Sequence, residues 1–444
     1  MLKEVNRKRG PSMAKASGWE EDTKIYGTAR RKKRSRYKNF IWVILAFTAI
    51  ASAVAVVVAA NSLYTFMTEI ATEEEVEMPI PGTGERINVL LLGLDGGVNG
   101  KYTFGAQRTD TMMLLSLDPE MGSTGILSIP RDTRVQIPGR PAYEKINHAH
   151  AYGGAQLAVD TVADFLDVPI HYFVRMDFQG FVKIVDALGG VEMVIERDMV
   201  YSDPEQDLYI NIKAGQQVLD GKKALDFVRY REYTDADIGR VKAQQRFIDA
   251  LLAKFFSTRN LLKLPSLASD MSKYIDTNLQ SKEILSFVGF VGQIERSGIK
   301  MGMIPGKDAV ITDGGYTLSY WVADQAETRR IVDELVRGID REANSGVRVR
   351  LLGTPEGQMT MEKVAEHLRG EGYRVSTGIG EAVSKDSTEV VVLNGDTALP
   401  KTIARSLRRL DLEPVIYDRR SENAEWDLVI TLGKDALLLP GKGA

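Results

Sequence analysis

The chain alternates between apolar windows and polar breaks, and the period of that alternation changes along its length. From Phe40 to Ala60 only Thr48 and Ser52 interrupt the apolar side chains, and no charge occurs between Asn39 and Thr68. A helix rising ~1.5 Å per residue needs about 20 such residues to cross a ~30 Å hydrocarbon core, so residues 40–66 predict a transmembrane helix. The run 87–94 (INVLLLGL) is apolar on both faces, the pattern of a buried strand. Further strands are predicted at 111–117 and 125–129, ended by Asp118-Pro119 and Pro130. Ala158, Thr161, Val162, Phe165 and Leu166 share one helical face. A strand over 171–176, a helix over 178–188 stopped by Gly189-Gly190, and a strand over 191–195 follow. Helices dominate 239–293, then come a strand at 300–304 and a helix over about 322–337.

Interleaved strands and helices predict an α/β fold with α–β–α layers over residues 86–340. The polar break Arg341-Glu342-Ala343-Asn344-Ser345-Gly346 separates it from a small C-terminal α/β domain, 347–440. There, strands at 347–352, 389–393 and 428–432 alternate with helices at 361–368 and 400–410. Each half loosely repeats strand, Gly-containing turn, helix, strand.

Charge placement orients this arrangement. Residues 1–39 form a basic arm ending in Arg30-Arg31-Lys32-Lys33-Arg34-Ser35-Arg36-Tyr37-Lys38, whereas Glu69, Glu73, Glu74, Glu75 and Glu77 follow the apolar window. By the positive-inside rule the arm is cytoplasmic and everything beyond about residue 68 is extracellular, with 67–85 a polar linker. The chain is thus expected in the cell membrane as a single-pass protein. A cleaved signal peptide fits less well, because basic and apolar regions are both too long. A nucleic-acid-binding arm needs more assumptions than a topology signal. The 444 residues include no Cys, which removes thiol catalysis, zinc–thiolate sites and disulfides.

Candidate chemistry gathers at strand ends, where sites in α/β sheets collect. Asp95 follows the first strand, and Arg108-Thr109-Asp110 precedes the second. Paired carboxylates suit Mg²⁺ when substrate phosphates complete its octahedron. Arg131 follows the third strand. Arg229 and Arg231, if locally extended, project from one face, and Arg240 and Gln244 share a helical face. Guanidinium forks match phosphate oxygens. From the residues alone, capping or surface roles for Asp95 and Asp110 stay open, as does surface pairing of Arg229 and Arg231 with Asp235 or Asp237. His148 and His150 lack helical metal spacing; a structural role or an acid–base role is open for each. Nucleophile-elbow, Walker and dinucleotide motifs are absent.

Taken together, several ordered blocks resemble the LytR-CpsA-Psr family of cell-wall ligases. They include 88–95 (NVLLLGLD), 108–114 (RTDTMML), 128–133 (SIPRDT), 145–147 (KIN) with 151–154 (AYGG), 178–181 (FQGF), 185–191, 224–231, and 237–240 (DIGR) with Gln244-Gln245. The region from 346 to about 435 resembles, more weakly, the LytR C-terminal domain. The resemblance implies a membrane-anchored phosphotransferase. It would move an anionic glycopolymer, of teichoic acid or capsule type, from a polyprenyl-pyrophosphate carrier to peptidoglycan. It implies Mg²⁺ (or Mn²⁺) on Asp95 and Asp110, with Arg108, Arg131, Arg229, Arg231, Arg240 and Gln244 on the phosphates, and a lipid groove enclosed by apolar helices. Membrane, lipid-linked glycan and peptidoglycan are the expected partners, and no nucleic acid is expected. A polyprenyl-pyrophosphate phosphatase and a non-enzymatic transcriptional attenuator are the alternatives.

Overall fold

In a computed structural model, residues 78–81, 85–94, 107–204, 208–230, 236–255, 274–280, 283, 298–313, 316–380, 386–421 and 423–438 are described. The basic arm, the predicted span 40–66 and Asp95 lie outside them, as do Arg231 and the side chain of Arg240. Among the described residues no helix is long and apolar enough to cross a membrane.

The first strands are β1 (Ile87–Leu94), β2 (Thr109–Asp118) and β3 (Ser123–Ile129), then short β4 (Arg134–Gln136) and β5 (Tyr143–Lys145). Helix α1 (His148–Leu166), β6 (Tyr172–Asp177) and α2 (Phe178–Ala187) follow. Next come β7 (Val191–Ile195), β8 (Met199–Asp203), β9 (Leu208–Ile212) and β10 (Gly215–Leu219), then α3 (Gly221–Arg229) and α4 (Ala236–Phe255). β11 (Ile275–Thr277), β12 (Ile299–Met303), β13 (Gly306–Asp313), β14 (Tyr316–Ala323) and α5 (Gln325–Val332) close this lobe.

A mixed six-stranded sheet, order β11-β6-β1-β2-β3-β12, organises it. β1 is parallel to β6 and antiparallel to β2; β3 is antiparallel to β2 and parallel to β12. The C-terminal ends of β1, β3, β6 and β12 therefore share one edge with the start of β2. One sheet face buries Leu90, Leu92, Leu114, Leu127 and Phe173 against Ala158 and Val162 of α1 and Val332 and Leu335 after β14. Full burial of each large side chain contributes about 1.5–3 kcal/mol. Gly125 is required there, because a Cβ would lie 1.9 Å from the Leu335 carbonyl oxygen.

The lobe carries a second core, not expected from the sequence. It joins Val185, Val191, Ile210, Leu219, Ala224, Phe227 and Phe247, from α2, the β7–β10 strands, α3 and α4. The helix expected over 322–337 starts later: Val322 and Ala323 belong to β14, and α5 runs into a π-helical turn at Asp333–Arg337. The polar break at 341–346 contains one helical turn, α6 (Arg341–Asn344), capped by Asp340.

The C-terminal lobe comprises β15 (Arg348–Gly353), α7 (Gln358–Gly370), β16 (Arg374–Ile379), β17 (Glu389–Val392), α8 (Leu399–Arg408), β18 (Val415–Asp418) and β19 (Leu428–Thr431). β15 is parallel to β16 and β17 to β18, so each half is one β–α–β unit, and β19 joins the halves in the order β16-β15-β19-β17-β18. This lobe is tied to the first through buried charge. Arg405 donates to both Asp118 oxygens, at 2.6 and 2.8 Å, and Arg86 donates to one of them at 3.0 Å. Burial, together with repulsion from Arg405 and Arg409, brings the Arg86 guanidinium down to about 10 against the pull of Asp118.

Candidate active site

Asp110 owes its orientation to an irregularity in the β1–β2 ladder. Gly93 pairs with Thr111, but Leu94 pairs with Thr109, so the register shifts across Asp110. Such a bulge re-aims one side chain at a sheet edge. Across the edge, Pro130 ends β3 and a tight turn follows, with Thr133 N–H donating to the Pro130 carbonyl at 3.0 Å. That turn presents Arg131, whose Nη1 donates to Asp110 Oδ1 at 2.5 Å. Both side chains are one-fifth exposed (21% each), so the pair faces solvent without being dissolved in it.

The charges continue past this pair. Asp132 lies 3.8 Å from Arg131 Nε and 3.0 Å from Lys145 Nζ. Backbone bonds fix the loop, with Trp321 N–H on the Asp132 carbonyl at 2.9 Å and Asn147 N–H on the Arg131 carbonyl at 3.2 Å. Asp132, Lys145 and Trp321 escaped the sequence reading. Asp132 and Lys145 sat inside the quoted blocks without a role, whereas Trp321 belongs to a strand the periodicity did not reveal.

Arg108 is exposed and immediately precedes β2. Its charge acts on Tyr152, which places it toward the start of α1. Arg229 corrects an expectation. It is not in an extended segment but closes α3, a helix begun by the Asp220 side chain accepting from Lys223 N–H at 2.8 Å. Its guanidinium carbon lies 4.7 Å over the Phe178 ring. Phe178 follows Asp177, which pairs with Leu94 at the end of β1, so Arg229 is brought to the same sheet edge. Gln244 donates to the Val228 carbonyl at 3.2 Å and thereby fixes the end of α3.

Asp177 caps α2 through Gly180 N–H at 2.7 Å, and burial pushes its carboxyl up despite that bond. The histidines part company. His150 is buried with Nδ1 2.8 Å from the Gln107 carbonyl oxygen, whereas His148 Nδ1 lies 3.1 Å from Glu144 Oε2.

Among the described residues no group of three or more His, Asp or Glu side chains encloses a metal position. The described oxygen donor is Asp110, with one oxygen on Arg131. Mg²⁺ is commonly held by one or two carboxylates, with water and substrate phosphate filling the octahedron. The donor set therefore fits a Mg²⁺ ion shared with a phosphate-bearing ligand and does not fit an all-protein cage.

The chain is 31% identical over 256 residues to a polyisoprenyl-teichoic acid–peptidoglycan teichoic acid transferase, TagU of Enterococcus faecalis, covering 56% of this chain and 79% of that one. It is 31% identical over 279 residues to the transferase TagT of Bacillus subtilis, covering 60% and 86%. The crystal structure of protein gbs0355 from Streptococcus agalactiae superimposes with a TM-score of 0.51 at 27% identity, covering 56% and 88%. The LytR-CpsA-Psr family model matches residues 54–337, more than half of the sequence, and the chain belongs to that family.

Proposed function

We propose that this protein is a membrane-anchored, extracytoplasmic phosphotransferase. It moves an anionic glycopolymer from a polyprenyl-pyrophosphate carrier to peptidoglycan. The observation that carries the reading is the partly exposed Asp110–Arg131 pair at the converging strand ends, in a chain whose relatives are named teichoic acid transferases. The apolar window 40–66, with basic residues before it and acids after it, supports the anchor and its orientation.

Phosphoryl transfer requires positioning and charge neutralisation more than covalent catalysis. Arg131, pre-oriented by Asp110 and by its anchored turn, presents its fork to a phosphate oxygen where negative charge grows. Arg229, laid against Phe178, and the exposed Arg108 add positive charge at the same edge, and Arg231 and Arg240 join them in this reading. Gln244 keeps the end of α3 in place. Mg²⁺, held by Asp110 and Asp95, would supply charge neutralisation for the pyrophosphate. An acceptor hydroxyl on peptidoglycan forms the new P–O bond, and polyprenyl phosphate departs.

The test places the full chain in lipid vesicles with a polyprenyl-pyrophosphate-linked glycan and uncrosslinked peptidoglycan. Glycan should become covalently attached to peptidoglycan, with attachment lost on chelation of divalent cations. Attachment that withstands chelation refutes the metal assignment, and no attachment under any condition refutes the transferase reading.

A further inference from the structure

The reaction proposed above needs a group to take the acceptor's proton, and neither Asp110 nor Arg131 is suited to it while they bind each other. A second polar cluster stands beside them. Asp110 and Gln107 belong to the same short segment as Arg108, and His150 of α1 holds that segment through the Gln107 carbonyl at 2.8 Å. Asn147, the residue before α1, holds the backbone of Arg131 at 3.2 Å. The first turn of α1 is thus pinned to both sides of the Asp110–Arg131 pair.

That turn is a separate unit. Gly153 and Gly154 leave helical geometry, Gly154 at φ 62°, so 148–152 breaks from the rest of α1. His148 and Tyr152 lie four apart on it, with ring centroids 5.8 Å apart. Both address Glu144: Tyr152 donates its hydroxyl to Oε2 at 2.6 Å, and His148 Nδ1 lies 3.1 Å from the same oxygen. Arg140 Nε donates to Oε1 at 3.2 Å and covers the Tyr152 ring at 4.2 Å. Burial pushes the Glu144 carboxyl up, but the bonds from Tyr152, His148 and Arg140 outweigh it and hold the group below its ordinary value. Glu144 is therefore a carboxylate that only accepts. Tyr152 keeps its proton and donates a hydrogen bond to Glu144, and because the carboxylate has no proton to give, the bond between Glu144 and His148 requires the proton on Nδ1. In the neutral ring, Nε2 is then left as the acceptor.

We infer that His148 is the general base for the acceptor hydroxyl, with Glu144 as the positioning residue that fixes its tautomer. The inference rests on the transferase reading. His148 Nε2 takes the hydroxyl proton as the acceptor oxygen's lone pair forms a bond to the glycan-bearing phosphorus. The bond from that phosphorus to the bridging oxygen breaks, and its electron pair leaves with polyprenyl phosphate. The titratable and charged groups around this base are Glu144 from the preceding segment, Arg140 bound to Glu144, the neutral Tyr152 from its own helix, and Arg108 acting on Tyr152.

The experiment compares wild type, His148→Gln, His148→Ala and Glu144→Gln as full chains in vesicles. General bases contribute about 10²–10⁴-fold. His148→Gln should lose transfer by that factor while still binding donor lipid in the presence of Mg²⁺. The acid limb of the wild-type pH–rate profile should vanish in His148→Gln, and added imidazole should restore part of the His148→Ala rate. Glu144→Gln should lower kcat with little change in the KM for donor. Transfer by His148→Gln within twofold of wild type, with the same acid limb, overturns the inference. So does a His148→Ala variant that binds donor but gains nothing from imidazole. If wild type itself neither binds donor nor transfers, the transferase reading has failed instead.

Discussion

The two lobes use charge in opposite ways. In the C-terminal lobe, the buried carboxylates are each taken up by an arginine: Glu371 accepts from Arg409 at 2.5 Å, and Asp427 accepts from Arg348 at 3.0 Å. Arg405 reaches out of that lobe only to be consumed by Asp118, which is 1% exposed. In the first lobe the Asp110–Arg131 pair stays partly solvent-facing at a strand edge, and Arg108 stands exposed beside it. Buried, fully paired charge fixes geometry and offers a ligand nothing. Charge that is oriented yet still solvent-facing is what a phosphate can use. Under the proposed function, this contrast is what would place the chemistry in the first lobe and leave the second as a docked module.

Substitutions sharpen the contrast in order of expected effect. Arg131→Ala should reduce glycan transfer by about 10³-fold or more, while circular dichroism and the melting transition stay near wild type. A variant transferring at the wild-type rate would move the site elsewhere. Arg405→Ala should do the reverse. It leaves Asp118 and Arg86 buried with half of their network, a loss of about 3 kcal/mol or more, read as a lower denaturant midpoint. Transfer per folded molecule should hold.

Acid probes the second lobe more gently. The Glu371 carboxyl is resisted by burial but drawn down to about 2 by His367, Arg409 and Ser406. Its depressed value means that its stabilisation is present above the ordinary carboxylate range and lost as pH falls toward about 2. The contribution is ~3 kcal/mol, so unfolding midpoints should drop progressively from the ordinary carboxylate range down to about pH 2, and Glu371→Gln should flatten that drop. The smallest effect is expected from Phe178→Leu, which removes the ring beneath Arg229 and costs about 1 kcal/mol of phosphate binding. A higher KM for donor, restored by Phe178→Tyr, checks it.

Much of this was readable in the chain. β1, β2, β3, β6 and α2 are signalled by apolar runs with Gly or Pro punctuation, and the doubled β–α–β plan of the last lobe showed in its repeat. Most strands missed lack a long apolar run, and the short one that ends β14 (Tyr320 to Ala323) runs on toward a helix. β16 has no fully buried residue, and β13 and β14 form a hairpin in which Val310 and Leu318 stand exposed. The condition that Arg229 be extended fails because Asp220 caps a helix that runs through it. Two features could not be read locally at all. The bulge that turns Asp110 exists only in the pairing of two strands. Asp118 reads as half of an Asp-Pro breaker until Arg405, 287 residues away, arrives to bind it.

The central claim is that the pyrophosphate is split by transfer to a sugar hydroxyl and not to water. Following phosphorus by ³¹P NMR during turnover tests it most directly, using the full chain in vesicles with donor lipid, Mg²⁺ and peptidoglycan. The account predicts one polyprenyl monophosphate for each phosphodiester formed on peptidoglycan, and no consumption of donor when peptidoglycan is withheld. Steady release of glycan phosphate or inorganic phosphate without peptidoglycan would contradict it.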